Sequence, residues 1–234
     1  MKKSLICILL AVMMIFSFAA CGDNQTSETT DTVSLAETPT ETEPAVTVDR
    51  SGLKIAMIGD SLVAGLAGYA VTDEIDFYGS VNLTTQGIFT TTAQGSSIPI
   101  IDEIAGDKYD VVVILLGINE VSYETSAWIE NYRAVVEGVK ERASGAEVWI
   151  HAILPVSQNA EDTSQFGVTN PAIAEKDVAL KNLAAETGCS YITAASVLGA
   201  DNGILPDDVA SDGIHPKKSY CEIWASFLLD TIKG

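Results

Sequence analysis

Positive charge is scarce in this chain. Of its 234 residues only 13 are Lys or Arg against 32 Asp or Glu, a net charge of −19. A surface that negative repels phosphate backbones, which excludes nucleic acid as a partner. Histidine and cysteine are scarcer still, at two and four. His151 and His215 form no cluster of zinc-finger spacing with the scattered Cys7, Cys21, Cys189 and Cys221, so a structural zinc module is excluded while a carboxylate metal site stays open. The pentapeptide Gly-x-Ser-x-Gly of the nucleophile elbow does not occur. Neither Gly-x-Gly-x-x-Gly nor Gly-Lys-Ser/Thr occurs either, so no nucleotide cofactor is implied and no cofactor is expected. What the chain does have is 47% hydrophobic residues, enough to close one core of ordinary size.

Lys2 and Lys3 lead an uncharged, apolar run from Ser4 to Ala20, the pattern of a secretory signal over residues 1–20. The run ends Phe18-Ala19-Ala20-Cys21, which resembles a bacterial lipoprotein signal and implies lipidation of Cys21. A plain signal peptide and an uncleaved anchor are the alternatives. Residues 21–50 are Thr, Ser, Glu, Asp and Pro with almost no large apolar side chains, a composition that cannot offset the entropy of ordering its backbone. They read as an acidic tether. The expected location is extracytoplasmic, lipid-anchored to the bacterial cell membrane, with membrane contact through the lipid alone.

In residues 51–234, apolar runs of strand length alternate with stretches of helical period. Strands are expected at Leu53–Ile58, Val111–Leu116, Val148–Leu154 and Tyr191–Thr193, with a weaker candidate at Ser80–Thr85. Trp128, Tyr132, Val135, Val136 and Val139 form one helical stripe, and Tyr220, Trp224, Phe227 and Leu228 another after Pro216. Asn170 and Pro171 read as the N-cap and first turn of a helix that Gly188 ends. Continuous apolar strands between amphipathic helices imply a parallel sheet covered on both faces. The fold class is therefore α/β, a three-layer α/β/α sandwich with a five-stranded parallel sheet. Ligands of such sheets bind beyond the carboxyl ends of the strands.

Gly59-Asp60-Ser61-Leu62 follows the first strand and Gly117-Ile118-Asn119-Glu120 follows that at Val111, while Asp212-Gly213-Ile214-His215 precedes the last helix. In this order and at these positions they resemble the SGNH or GDSL family of serine esterases and lipases over essentially all of residues 53–232. The resemblance implies Ser61 as nucleophile, His215 as base and Asp212 as its orienting carboxylate, roles that chemistry requires because a hydroxyl is a poor nucleophile until a neutral imidazole takes its proton. It also implies an oxyanion hole from the N–H groups of Ser61 and of a glycine after the second strand, with the side-chain amide of Asn119. Gly87 is the chosen glycine, with Gly79 and Gly95 as substitutes. Glu120 stands where the family commonly has aspartate.

Taken singly, each residue has a plainer reading. Ser61 could cap a helix, Asn119 and Asp212 could be turn residues, and Glu120, Glu124 and Glu130 could be solvated surface acids. Asp60 is expected to support the nucleophile loop through backbone hydrogen bonds, and His151, inside an apolar strand, to be a packing residue. Cys189 and Cys221 could form a disulfide or be buried thiols. The function expected is removal of short acyl groups, acetyl foremost, from esters of carbohydrate or cell-wall polymer by a monomer without a metal. A lipase or lysophospholipase of the same family, and a glycan-binding lipoprotein without turnover, are the alternatives.

Overall fold

The computed structural model describes residues 49–163 and 167–234. The signal sequence, Cys21 and nearly all of the tether lie outside the described residues. Arg50, placed by composition at the end of the tether, is docked on the domain. Its Nε donates to the Ile232 carbonyl at 2.7 Å and its two terminal nitrogens reach the Glu147 carboxylate at 2.9 and 2.8 Å.

Five parallel strands, β1 (Ile55–Gly59), β2 (Ile75–Gly79), β3 (Val111–Leu115), β4 (Glu147–His151) and β5 (Ser190–Ile192), form one sheet in the order β2-β1-β3-β4-β5. This is the doubly wound, flavodoxin-like order. The central strands β1 and β3 are buried from end to end, as apolar runs without polar alternation require. Within each run alternate residues still face opposite ways. Ala56, Ile58, Val112 and Ile114 enter one core with α2 (Thr125–Arg142) and α4 (Asn170–Thr187), whereas Ile55, Met57, Val111 and Val113 enter the other with α1 (Ser61–Tyr69) and α5 (Lys218–Lys233). A short α3 (Gln158–Thr163) precedes α4.

Two local expectations change, and one open alternative closes. The second strand is Ile75–Gly79, and 80–85 is a loop in which Asn82 takes a left-handed φ of 58°. β2 escapes a search for apolar runs because it is an edge strand with Asp76 exposed in its middle. α4 is capped by Thr169, whose hydroxyl accepts from the Ala172 N–H at 3.3 Å, while Asn170 uses its amide to bind both backbone groups of Val156 at 2.9 and 3.0 Å. Cys189 packs against the α2/α4 core and Cys221 belongs to the α1/α5 core. The sheet separates them, and both are free thiols.

Candidate active site

β1 ends at Gly59, where a Cβ would meet the Leu115 carbonyl oxygen at 2.1 Å and a Val63 methyl at 2.7 Å. Only glycine fits there. The next residue stitches the corner together: the Asp60 N–H donates to Leu115 O at 3.2 Å, and its buried carboxylate accepts from the Leu62 N–H at 3.1 Å as the N-cap of α1. Because Asp60 supplies the cap, Ser61 is left in the first turn with its hydroxyl uncommitted to the helix. That hydroxyl lies 2.9 Å from His215 Nε2.

His215 is held by a tight loop. Asp212 Oδ1 accepts from the backbone N–H groups of Ile214 and His215 at 3.0 and 2.8 Å, and Oδ2 lies 2.7 Å from His215 Nδ1. Gly213 between them has φ 76°, and a Cβ there would strike Ser157 Oγ at 2.3 Å. A carboxylate only accepts, so Nδ1 carries the proton and the Nε2 lone pair faces the Ser61 hydroxyl. Partial burial alone would raise the Asp212 pKa, but the His215 N–H and ring and the Ile214 N–H more than offset it and hold the carboxyl below its usual range. It stays ionised where it faces the imidazole.

β3 ends next to β1 at the point where the strand order reverses, with α1 leaving on one face and α2 on the other. Asn119 sits in the single helical turn after β3, its amide donating to Leu83 O at 2.9 Å. An amide nitrogen carries two hydrogens, so one remains for a ligand. The N–H of Ser61, in the first turn of α1, has no intrahelical acceptor. Gly87 sits differently: its N–H donates to Thr84 Oγ1 at 3.0 Å and is spent inside its own turn.

Glu120 corrects the surface-acid reading. It is buried, and its carboxylate accepts from both the N–H and the hydroxyl of Thr85, tying the loop after β2 to the loop after β3. Glu124 is exposed, as is Glu130, and Glu124 caps α2. Behind the same loop, buried Lys176 donates to the Tyr123 carbonyl at 2.9 Å and lies 4.5 Å from the centre of the Trp128 ring. Nothing in the sequence distinguished these two charges from surface ones, since only the fold brings Thr85 and Tyr123 to them.

The second histidine is a packing residue. His151 is buried, its Nε2 accepts from Trp224 Nε1 at 3.0 Å, and its Nδ1 donates to the Ala152 carbonyl at 2.6 Å. Burial, opposed by that backbone bond, pushes its pKa down to about 4. Cys221 is no rival nucleophile, because burial with the nearby Glu222 charge pushes its thiol up to about 11, leaving almost no thiolate at neutral pH.

The assembled geometry is that of nucleophilic acyl transfer: an accessible hydroxyl, a neutral base oriented by a carboxylate, and an amide donor across the strand ends. Comparisons with known proteins give the family. Residues 57–219 match the GDSL-like Lipase/Acylhydrolase family, while no curated protein matches the sequence. Similar solved structures include a Streptococcus pneumonia protein designated a platelet activating factor (20% identity, 81% of this chain and 86% of that chain, TM-score 0.62). Others are a GDSL-like lipase from Bacteroides thetaiotaomicron (15%, 76% and 87%, 0.57) and an acetylxylan esterase from Geobacillus stearothermophilus (17%, 77% and 94%, 0.55). The chain belongs to the GDSL-like lipase/acylhydrolase family and is a carboxylic ester hydrolase.

Proposed function

We propose that this protein is an extracytoplasmic, lipid-anchored serine esterase that removes acetyl groups from esters of carbohydrate or cell-wall polymer. The observation that carries the catalytic part is the chain of contacts from Ser61 Oγ to His215 Nε2 at 2.9 Å and from His215 Nδ1 to Asp212 Oδ2 at 2.7 Å. Ser61 Oγ attacks the ester carbonyl as its proton passes to His215, whose positive charge Asp212 stabilises. The carbonyl oxygen, now an alkoxide, takes hydrogen bonds from the Asn119 amide and the Ser61 N–H. His215 then gives its proton to the departing alcohol, leaving an acyl group on Ser61. Water, deprotonated by His215, attacks that acyl carbon; the acid departs and Ser61 recovers its proton.

A third oxyanion donor comes on this reading from the turn at 80–83. Its carbonyl at Leu83 is bonded to the Asn119 amide, so this turn adjoins the donor already named. The Asn82 N–H, at φ 58°, meets no acceptor among the described residues.

The substrate follows from charge and from place. Residues 51–234 carry 10 bases and 25 acids, 10 − 25 = −15, a surface that disfavours phospholipid headgroups and polyanions and tolerates neutral sugar esters. The similarity to an acetylxylan esterase accords with this. Lipidation at Cys21 and the acidic tether would hold the domain above the membrane within reach of wall polymer. The test is release of acetate from acetylated xylan or peptidoglycan against release of long acids from phospholipid and triglyceride. A higher kcat/KM on the acetylated polymer is expected; preference for the long-chain lipids would overturn the substrate assignment.

A further inference from the structure

A cleft of about 310 Å³ opens beside Ser61 and His215, between α1 and the start of α5. α1 buries Leu62, Val63 and Leu66. Its other face carries Ser61, Gly65, Gly68 and Tyr69, at i, i+4, i+7 and i+8 from the nucleophile. A Cβ built at Gly65 or Gly68 would touch nothing within 4 Å, so these glycines leave a smooth floor where any side chain would fill space. Tyr69, 41% exposed, lines the cleft with Leu62, Pro216 and Cys221. Apart from His215, no lining side chain carries a charge.

The two sides of the reacting centre are distinct. The tetrahedral carbon on Ser61 bears an oxyanion, an acyl substituent and the leaving oxygen. The oxyanion points to Asn119 and the turn holding Leu83, whose neighbours Leu83, Ile118 and Val121 belong to the α2/α4 core. The leaving oxygen must come within hydrogen-bond reach of His215 Nε2 to receive its proton. His215 lines the cleft on the α1/α5 side. The substituent carried by that oxygen is therefore directed toward the cleft that His215 lines.

Resting on the esterase reading above, we infer that the cleft lined by Gly65, Gly68 and Tyr69, and not another part of the surface, is the subsite for the leaving alcohol, a single neutral sugar ring stacked on the Tyr69 face. Its volume is at the lower end of ligand pockets, sized for one ring and short of a chain of them. An uncharged lining suits a neutral pyranose, whose C–H faces pack on an aromatic plane while its hydroxyls turn to solvent. The step itself is unchanged: the carbonyl carbon to alkoxy oxygen bond breaks, the oxygen takes the proton from His215, and the alcohol leaves through the open side of the cleft.

The experiment compares wild type, Gly65→Leu and Tyr69→Ala on methyl acetate, methyl butyrate and a monoacetylated methyl xylopyranoside. Position 65 has room for a side chain and helix formation is improved by losing glycine, and Tyr69 is exposed, so both variants should fold, with circular dichroism as the check. Gly65→Leu should lower the ratio of kcat/KM for the acetylated pyranoside to that for methyl acetate tenfold or more. Tyr69→Ala should raise KM for the pyranoside severalfold with little change in its kcat. In both, the ratio for methyl acetate to methyl butyrate should stay within twofold of wild type. If the acetate-to-butyrate ratio moves instead, the cleft holds the acyl chain and the inference falls; it falls equally if neither ratio moves. A wild-type protein inactive on all three esters overturns the esterase reading first, an outcome distinguishable from the others.

Discussion

Glu120 Oε2 accepts the backbone N–H of Thr85 at 2.9 Å while its Oε1 accepts the Thr85 hydroxyl at 2.7 Å, with both residues buried. This pair joins the loop after β2 to the turn that carries Asn119. It fixes these two loops relative to each other on the oxyanion side of the reacting centre. Replacing Glu120 by Ala leaves two buried donors unpaired, at about 1–3 kcal/mol each, and should lower Tm by several degrees. Glu120→Gln can still accept the N–H and donate to the hydroxyl oxygen, so it should retain most of the stability. Thermal unfolding of the two variants checks this; equal losses would mean that the carboxylate charge, and not the pairing, matters.

Asn119→Ala should reduce kcat by about a hundredfold to a thousandfold, the usual effect of removing one oxyanion donor. KM should change little, because the amide meets charge that develops only in the transition state. Steady-state kinetics on an aryl acetate distinguish this from a positioning role, which would raise KM and spare kcat.

Asp60 makes stability depend on pH. Burial, reinforced by the Glu120 charge and opposed chiefly by the Leu62 N–H, pushes its pKa from an ordinary 3.8 up to about 7. Between those values the folded chain keeps a proton that the unfolded chain releases, so this group costs stability progressively as pH rises from about 4 to 7, and no further above. His151 acts oppositely: with its pKa down at about 4, stability is lost as pH falls from about 6.5 to 4. The two oppose each other in the wild type. Asp60→Asn keeps an oxygen for the Leu62 N–H and removes only the first contribution. Its stability relative to wild type should therefore rise with pH across 4–7 and level off above 7, as measured by denaturant unfolding; a difference flat in pH would contradict the assignment.

What could be read from residue order alone follows from where water is. β1, β3 and β4 sit inside the sheet and announce themselves as apolar runs, and the stripe of Trp128, Tyr132, Val135, Val136 and Val139 falls wholly inside α2. β2 is half wet at the sheet edge, so Asp76 and Tyr78 conceal it. Ser61, Asp212 and His215 were legible because each lies in a short segment whose local geometry positions it. Glu120, Lys176 and the turn at Asn82 were not, since their partners come from loops 35, 53 and 36 residues away. The cleft on α1 was hidden for another reason: glycines at 65 and 68 matter only once the loop of His215 stands opposite them.

Activity should survive exhaustive chelation, because the nucleophile, base and oxyanion donors are all protein groups in this mechanism. Hydrolysis of an aryl acetate with and without chelator checks this; turnover lost on chelation and restored by added zinc or calcium would contradict it.

The most direct measurement is covalent labelling of the purified protein with a serine-directed fluorophosphonate, followed by mass spectrometry of the modified peptide. The hydrogen bonds from Ser61 to His215 and from His215 to Asp212 predict a single adduct on Ser61, absent from Ser61→Ala and formed far more slowly in His215→Ala, with loss of ester hydrolysis in step. A folded protein that hydrolyses esters while its adduct lies on another residue, or a Ser61→Ala variant that keeps its activity, would contradict the account.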